Sequence, residues 1–89
     1  MELKKITEEL AGLENWSLEN KAISKVFDFA DFKSALNFVN KIGEISEKLG
    51  HHPDIIINYN KVKLKIFTHS ENDLTNKDFE LAKEIDKID

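Results

Sequence analysis

Asp31 and Gly50 bracket a helix, and that bracket limits most of what this chain can fold into. A carboxylate at Asp31 suits the cap position, where a side-chain oxygen accepts from an unpaired backbone N–H. Gly50 stands where helices favour glycine, because the residue after the last turn often takes a left-handed conformation. Between them, Phe32, Ala35, Leu36, Phe38, Val39, Ile42, Ile45 and Leu49 form an apolar stripe. The stripe is wide for a helix that covers one face of a sheet, and Phe38 and Ile45 lie towards one edge of it. That surplus predicts a second packing surface, between subunits.

On both sides of the helix the apolar period shortens to that of a strand. Before it, Trp16 and Leu18 alternate, Glu19-Asn20-Lys21 reads as a turn, and Ile23, Lys25, Phe27 and Phe29 share one face, which predicts a hairpin. After it, Pro53 suits the start of an extended segment. Ile55, Ile57 and Tyr59 then alternate with Ile56 and Asn58, a turn falls at Asn58–Lys61, and Val62, Leu64 and Ile66 alternate with Lys63, Lys65 and Phe67. Tyr59 is expected to pack at the sheet end.

Thr7 is expected to cap a short first helix reaching about Leu13, weakened at its end by Gly12. Thr75 caps a last helix that turns Leu81, Ala82, Ile85 and Ile88 towards the core. The order is α-β-β-α-β-β-α. Helices separated by hairpins predict one α+β domain, a four-stranded antiparallel sheet with the helices packed on one face. At 89 residues its own core is marginal, and oligomerisation is one way to add buried area.

Composition removes several functions. There is no cysteine, so disulfides and thiolate metal sites are excluded, which fits a cytoplasmic setting. The first residues lack an apolar signal core, and no run is long enough to span a membrane. The net charge is −4 and all 13 basic residues are lysine. Without arginine the planar fork for phosphates and guanine edges is missing, which disfavours nucleic acid as a partner.

All three histidines lie between Glu47 and Asp78. Histidine titrates near neutrality, so a cluster beside carboxylates predicts proton transfer. Plainer readings stand beside this one. His51 and His52 suit a polar loop between helix and strand, and His69 a strand end. Asp78 suits a capping box with Thr75, Glu47 an exposed helix face, and Trp16 a partly buried hairpin position. The spacing matches no familiar zinc pattern, so no metal site is predicted.

The set Glu47-x-x-x-His51-His52-Pro53, five residues, Tyr59, nine residues, His69, eight residues, Asp78 resembles the signature of the pterin-4a-carbinolamine dehydratases. Trp16, the Phe27–Phe32 segment, Glu47-Lys48-Leu49 and Tyr59-Asn60-Lys61-Val62 extend the likeness, from about Leu10 to the C-terminus. The family's element order agrees with the one read above. The resemblance implies an enzyme that removes water from a 4a-hydroxytetrahydropterin to give a quinonoid dihydropterin, with no metal or bound cofactor. It implies His51, His52 and His69 as the catalytic histidines, with Glu47, Trp16 and Asp78 at or around the site. Pro53 and the Thr68-His69-Ser70 turn would lie against the pterin. In the expected scheme His52 is the base at nitrogen 5, His51 or His69 protonates the departing hydroxyl, and Glu47 orients an imidazolium.

The likeness also implies a homodimer or homotetramer through the 32–49 helix and the sheet edge. Animal members double as dimerisation cofactors of a homeodomain transcription factor, so a non-catalytic pterin-binding or coactivator-like protein is the competing expectation. The chain departs from the animal pattern at Gly50, often Asp, and at Ser70, often Glu. The second departure bears on how the pterin is held.

Overall fold

The computed structural model describes residues 1–88. Three helices and four strands follow in the order expected. They are α1 (Leu3–Ala11), β1 (Ser17–Glu19), β2 (Ala22–Asp28), α2 (Phe32–Leu49), β3 (Asp54–Asn58), β4 (Lys61–Ile66) and α3 (Asn76–Asp86), with one 3-10 turn at His69–Glu71 between β4 and α3. The sheet runs β1-β2-β4-β3 and every neighbouring pair is antiparallel.

Register sorts the side chains. Ile23 faces Ile66, Phe27 faces Val62 and Ile55 faces Leu64, which puts one apolar set on one face. Because successive strand residues point to opposite faces, Lys61, Lys63 and Lys65 share the other. Glu19 bridges Lys63 and Lys65 there, each at 3.1 Å. The helices cover the apolar face. Ala35, Phe38 and Ile42 from α2 and Phe79, Leu81, Ala82 and Ile85 from α3 join Ile23, Val62, Leu64 and Ile66 in one core.

The bracket around α2 is as read. Asp31 accepts from the Ser34 N–H at 2.8 Å, and Gly50 takes φ +66°. The α3 cap is also as read, with Thr75 and Asp78 forming a reciprocal capping box. Three expectations need correction. Thr7 does not begin α1. The helix starts four residues earlier, and the Thr7 hydroxyl donates back to the Leu3 carbonyl at 2.9 Å, the alternative open to a threonine inside a helix.

Tyr59 does not pack at the sheet end. It sits in the two-residue β3–β4 turn at φ +55° with its side chain exposed. The backbone beside it is held instead by Asn60, which donates from Nδ2 to the Phe29 carbonyl at 3.0 Å and accepts the Phe29 N–H at 2.9 Å.

The surplus of α2 also lies elsewhere than expected. Phe38 is buried against Phe27 and Phe29, and Ile45 packs against the core. The exposed apolar residues of α2 are Phe32, Leu36 and Leu49.

Candidate active site

Gly50 turns the chain out of α2 in the left-handed region, where a residue with a Cβ is strained. The His51 N–H still bonds the Ser46 carbonyl at 3.1 Å, and Pro53 then leads into β3. Two adjacent imidazoles therefore leave the helix end in different directions. Each finds a carboxylate. His51 Nε2 stands 2.6 Å from Asp78 Oδ1, and His52 Nε2 stands 2.5 Å from Glu47 Oε2.

The two pairs sit in different surroundings. The Asp78 side chain is wholly buried and that of His51 is 12% exposed, whereas His52 is 59% and Glu47 79% exposed. Asp78 Oδ2 is occupied as well. It accepts the Thr68 hydroxyl at 3.0 Å and the Thr75 N–H at 2.8 Å. A buried carboxylate with its oxygens satisfied in this way is held rigidly.

His69 arrives from the other side, on the 3-10 turn after β4. Thr68 and Asp73 close that turn with paired backbone bonds at 3.0 and 3.4 Å. The His69 ring lies against Phe67 with centroids 4.1 Å apart, and neither of its nitrogens has a hydrogen-bond partner among the described residues.

His51, His52 and His69 line one pocket of about 330 Å³, together with Pro53, Thr68 and Ser70 from the expected set. Asp54 and Lys77 line it too, and sequence reasoning did not single them out. Their signal was faint: Asp54 follows Pro53, and Lys77 is the residue before Asp78. Asp78 and Glu47 do not line the pocket; each stands behind a histidine that does. Trp16 is not brought to it. Its Nε1 donates to Asp86 Oδ2 at 2.9 Å, and its ring meets Phe27 edge-on.

A larger concavity, about 910 Å³, has Phe27, Phe29, Phe38, Lys25 and Asp86 in its wall. It contains no histidine, whereas His51, His52 and His69 all line the smaller pocket. Among the described residues no group of three or more His, Cys, Asp or Glu is arranged to hold a metal ion. No helix among them is long and apolar enough to cross a membrane.

Residues 1–88 match the pterin 4 alpha carbinolamine dehydratase family. The chain belongs to that family. A protein of Sulfurisphaera tokodaii, provisionally named pterin-4-alpha-carbinolamine dehydratase, is 47% identical over 85 residues, covering 96% of this chain and 91% of its own. One from Acidobacterium capsulatum with the same provisional name is 46% identical, covering 96% and 92%.

The dehydratase family also accounts for the fold. The crystal structure of a transcriptional coactivator/pterin dehydratase from Brucella melitensis superposes with a TM-score of 0.92 at 33% identity, covering 97% of this chain and 94% of that one. A pterin dehydratase-like protein described as a RuBisCO assembly factor of the alpha-carboxysome shares the fold alone, at a TM-score of 0.65 and 18% identity over 80% of this chain and 82% of that one.

Proposed function

We propose that this chain dehydrates a 4a-hydroxytetrahydropterin, the pterin-4a-carbinolamine, to the quinonoid dihydropterin and water, as a carbon–oxygen hydro-lyase in tetrahydrobiopterin recycling. The observation that carries this is the convergence of three imidazoles, from two chain segments, on one pocket. Family membership supplies the substrate class.

The reaction needs two proton movements. Nitrogen 5 gives up its proton as its double bond to carbon 4a forms. The carbon 4a–oxygen bond breaks, and the departing hydroxyl takes a proton to leave as water. In this reading His52 accepts the nitrogen 5 proton, and His51 or His69 supplies the one on oxygen. Positioned general acids and bases of this kind contribute about 10²–10⁴-fold each. Glu47 and Asp78 act behind His52 and His51 as orienting acceptors. Pro53 and Ser70 hold the pterin with the histidines, Thr68 stands in the pocket wall with its hydroxyl turned to Asp78, and Trp16 has no part in it within one chain. No metal or bound cofactor enters this scheme, and the setting is cytoplasmic.

The same reading carries a homodimer or homotetramer. Phe32 and Leu36 on α2, 46% and 37% exposed, and Ile55 and Ile56 on the edge strand β3 are the surfaces that support it. Those exposed α2 residues, with the likeness to the Brucella transcriptional coactivator/pterin dehydratase, also favour a second reading as a non-catalytic pterin-binding or dimerisation-cofactor protein.

The test is to generate the carbinolamine in situ and follow its ultraviolet decay. The wild-type chain should accelerate the decay over the spontaneous rate, and a variant with both His51→Ala and His52→Ala should not. No acceleration by folded wild-type protein moves the assignment to the second reading.

A further inference from the structure

The polar atoms behind His51 form a chain whose direction follows from donor counting. A carboxylate oxygen only accepts, so the Thr68 hydroxyl spends its single proton on Asp78 Oδ2, 3.0 Å away. The Thr68 and Thr75 hydroxyl oxygens are 2.7 Å apart. With the Thr68 proton committed, it is the Thr75 hydroxyl that donates to Thr68. The Thr75 oxygen in turn accepts the Lys77 N–H at 3.3 Å. At the far end, Asp78 Oδ1 accepts from His51 Nε2 at 2.6 Å. Every proton in the sequence Lys77 N–H, Thr75, Thr68, Asp78 has one destination, and His51 donates into its end. The proton of the neutral His51 ring therefore sits on Nε2, and Nδ1 is the nitrogen left for a ligand.

We propose that Thr68 is a positioning residue, one that fixes the orientation of His51 by anchoring the Asp78 carboxylate that His51 donates to. Thr68 is 5% exposed and Asp78 fully buried, so water does not replace the lost donor when the hydroxyl is removed. The Asp78 oxygen would then keep only the Thr75 N–H, and the Thr75 hydroxyl would lose its acceptor. Thr68 also precedes His69 directly. Its hydroxyl thus ties the chain segment that carries the third imidazole to the carboxylate that holds the first. This assignment of a role in turnover rests on the dehydratase reading; the assignment of the His51 tautomer does not.

Ring-nitrogen NMR on the ¹⁵N-labelled full-length chain tests it, beside steady-state kinetics. In wild type the proton of neutral His51 is expected on Nε2. Thr68→Val, which keeps the shape and removes the hydroxyl, should leave that proton on Nε2 but shift the ring-nitrogen resonances as the carboxylate loses its anchor, and lower kcat about tenfold while KM stays within about twofold. Thr68→Ser should restore both the spectrum and kcat. Unchanged His51 ring-nitrogen resonances and kcat in Thr68→Val overturn the proposal. If the valine variant does not fold, the wild-type spectrum decides, and a His51 proton on Nδ1 overturns it. A wild-type chain with the expected spectrum but no dehydration leaves the tautomer assignment standing and removes the proposed activity.

Discussion

Glu47 Oε2 lies 2.5 Å from His52 Nε2, across the end of the helix that carries the glutamate. Both side chains are mostly exposed, and pairs of this kind contribute little to stability, about 0–1 kcal/mol. Its value is geometric, because the carboxylate selects which ring nitrogen carries a proton. Glu47→Ala should therefore leave the melting temperature within about 2 °C of wild type. The same change should lower kcat about tenfold, the low end of what a positioned acid–base group supplies. Unfolding curves and the carbinolamine assay on one preparation separate the two, and a variant with full activity would remove Glu47 from the site.

Asp78 should behave in the opposite way. It is buried, completes the α3 capping box and accepts from His51, Thr68 and the Thr75 N–H. Asp78→Ala strands those donors in the interior and should cost about 3 kcal/mol. Urea denaturation checks this through the transition midpoint, and a loss below about 1 kcal/mol would mean that water reaches the site.

Ser46 offers a change in the stabilising direction. Its side-chain oxygen is buried without a hydrogen-bond partner among the described residues, while its backbone carbonyl serves the helix cap. Ser46→Ala removes the desolvated hydroxyl, keeps the carbonyl and improves helix propensity. It should raise stability by about 1 kcal/mol. A lower denaturation midpoint would show that the hydroxyl is satisfied in solution.

Acid should loosen the fold through surface carboxylates. Hydrogen bonds from Lys63 and then Lys65 hold the Glu19 carboxyl below its ordinary value of 4.5. The Ser34 N–H at the α2 cap holds Asp31 below its ordinary 3.8. A group with a depressed folded value stabilises fully above its unfolded value, and the contribution is lost as pH falls through the folded one. Melting temperature should thus be flat with respect to these groups above about pH 5 and fall below it. Glu19→Gln should flatten part of that fall, and an identical slope in the variant would assign the acid sensitivity elsewhere.

Self-association should respond to the exposed apolar residues. Leu36→Glu on α2 and Ile56→Lys on β3 each place a charge on a surface proposed to pair, without opening the core. Light scattering should show a lower mass for at least one. Two variants of unchanged mass would place the contact on another surface.

The elements that sequence reading located well are those whose signals are local. The Asp31 cap, the Gly50 stop, the Asn20 turn and the Thr75-x-x-Asp78 box act within one turn of chain, and each appears at its expected place. Thr7 misled because threonine serves equally as a cap or as a residue that bonds back along its own helix. Tyr59 misled because strand alternation assigned its side chain to the sheet although the turn at Asn58–Lys61 was marked, and the left-handed backbone of that turn leaves the ring in solvent. Most of the pocket was legible only through its resemblance to a family. The partner of Asp78 is 27 residues away, and that of the Trp16 indole is 70 away at Asp86. No spacing rule in the chain predicts such tertiary pairings.

Gly50 places two chemically identical side chains in unlike media. One imidazole of the dipeptide is sheltered against a buried carboxylate, and the other is wetted beside an exposed one. Ionic strength should act strongly on the second and weakly on the first. The chain thus carries, in two consecutive residues, one imidazole insulated from its surroundings and one open to adjustment by them.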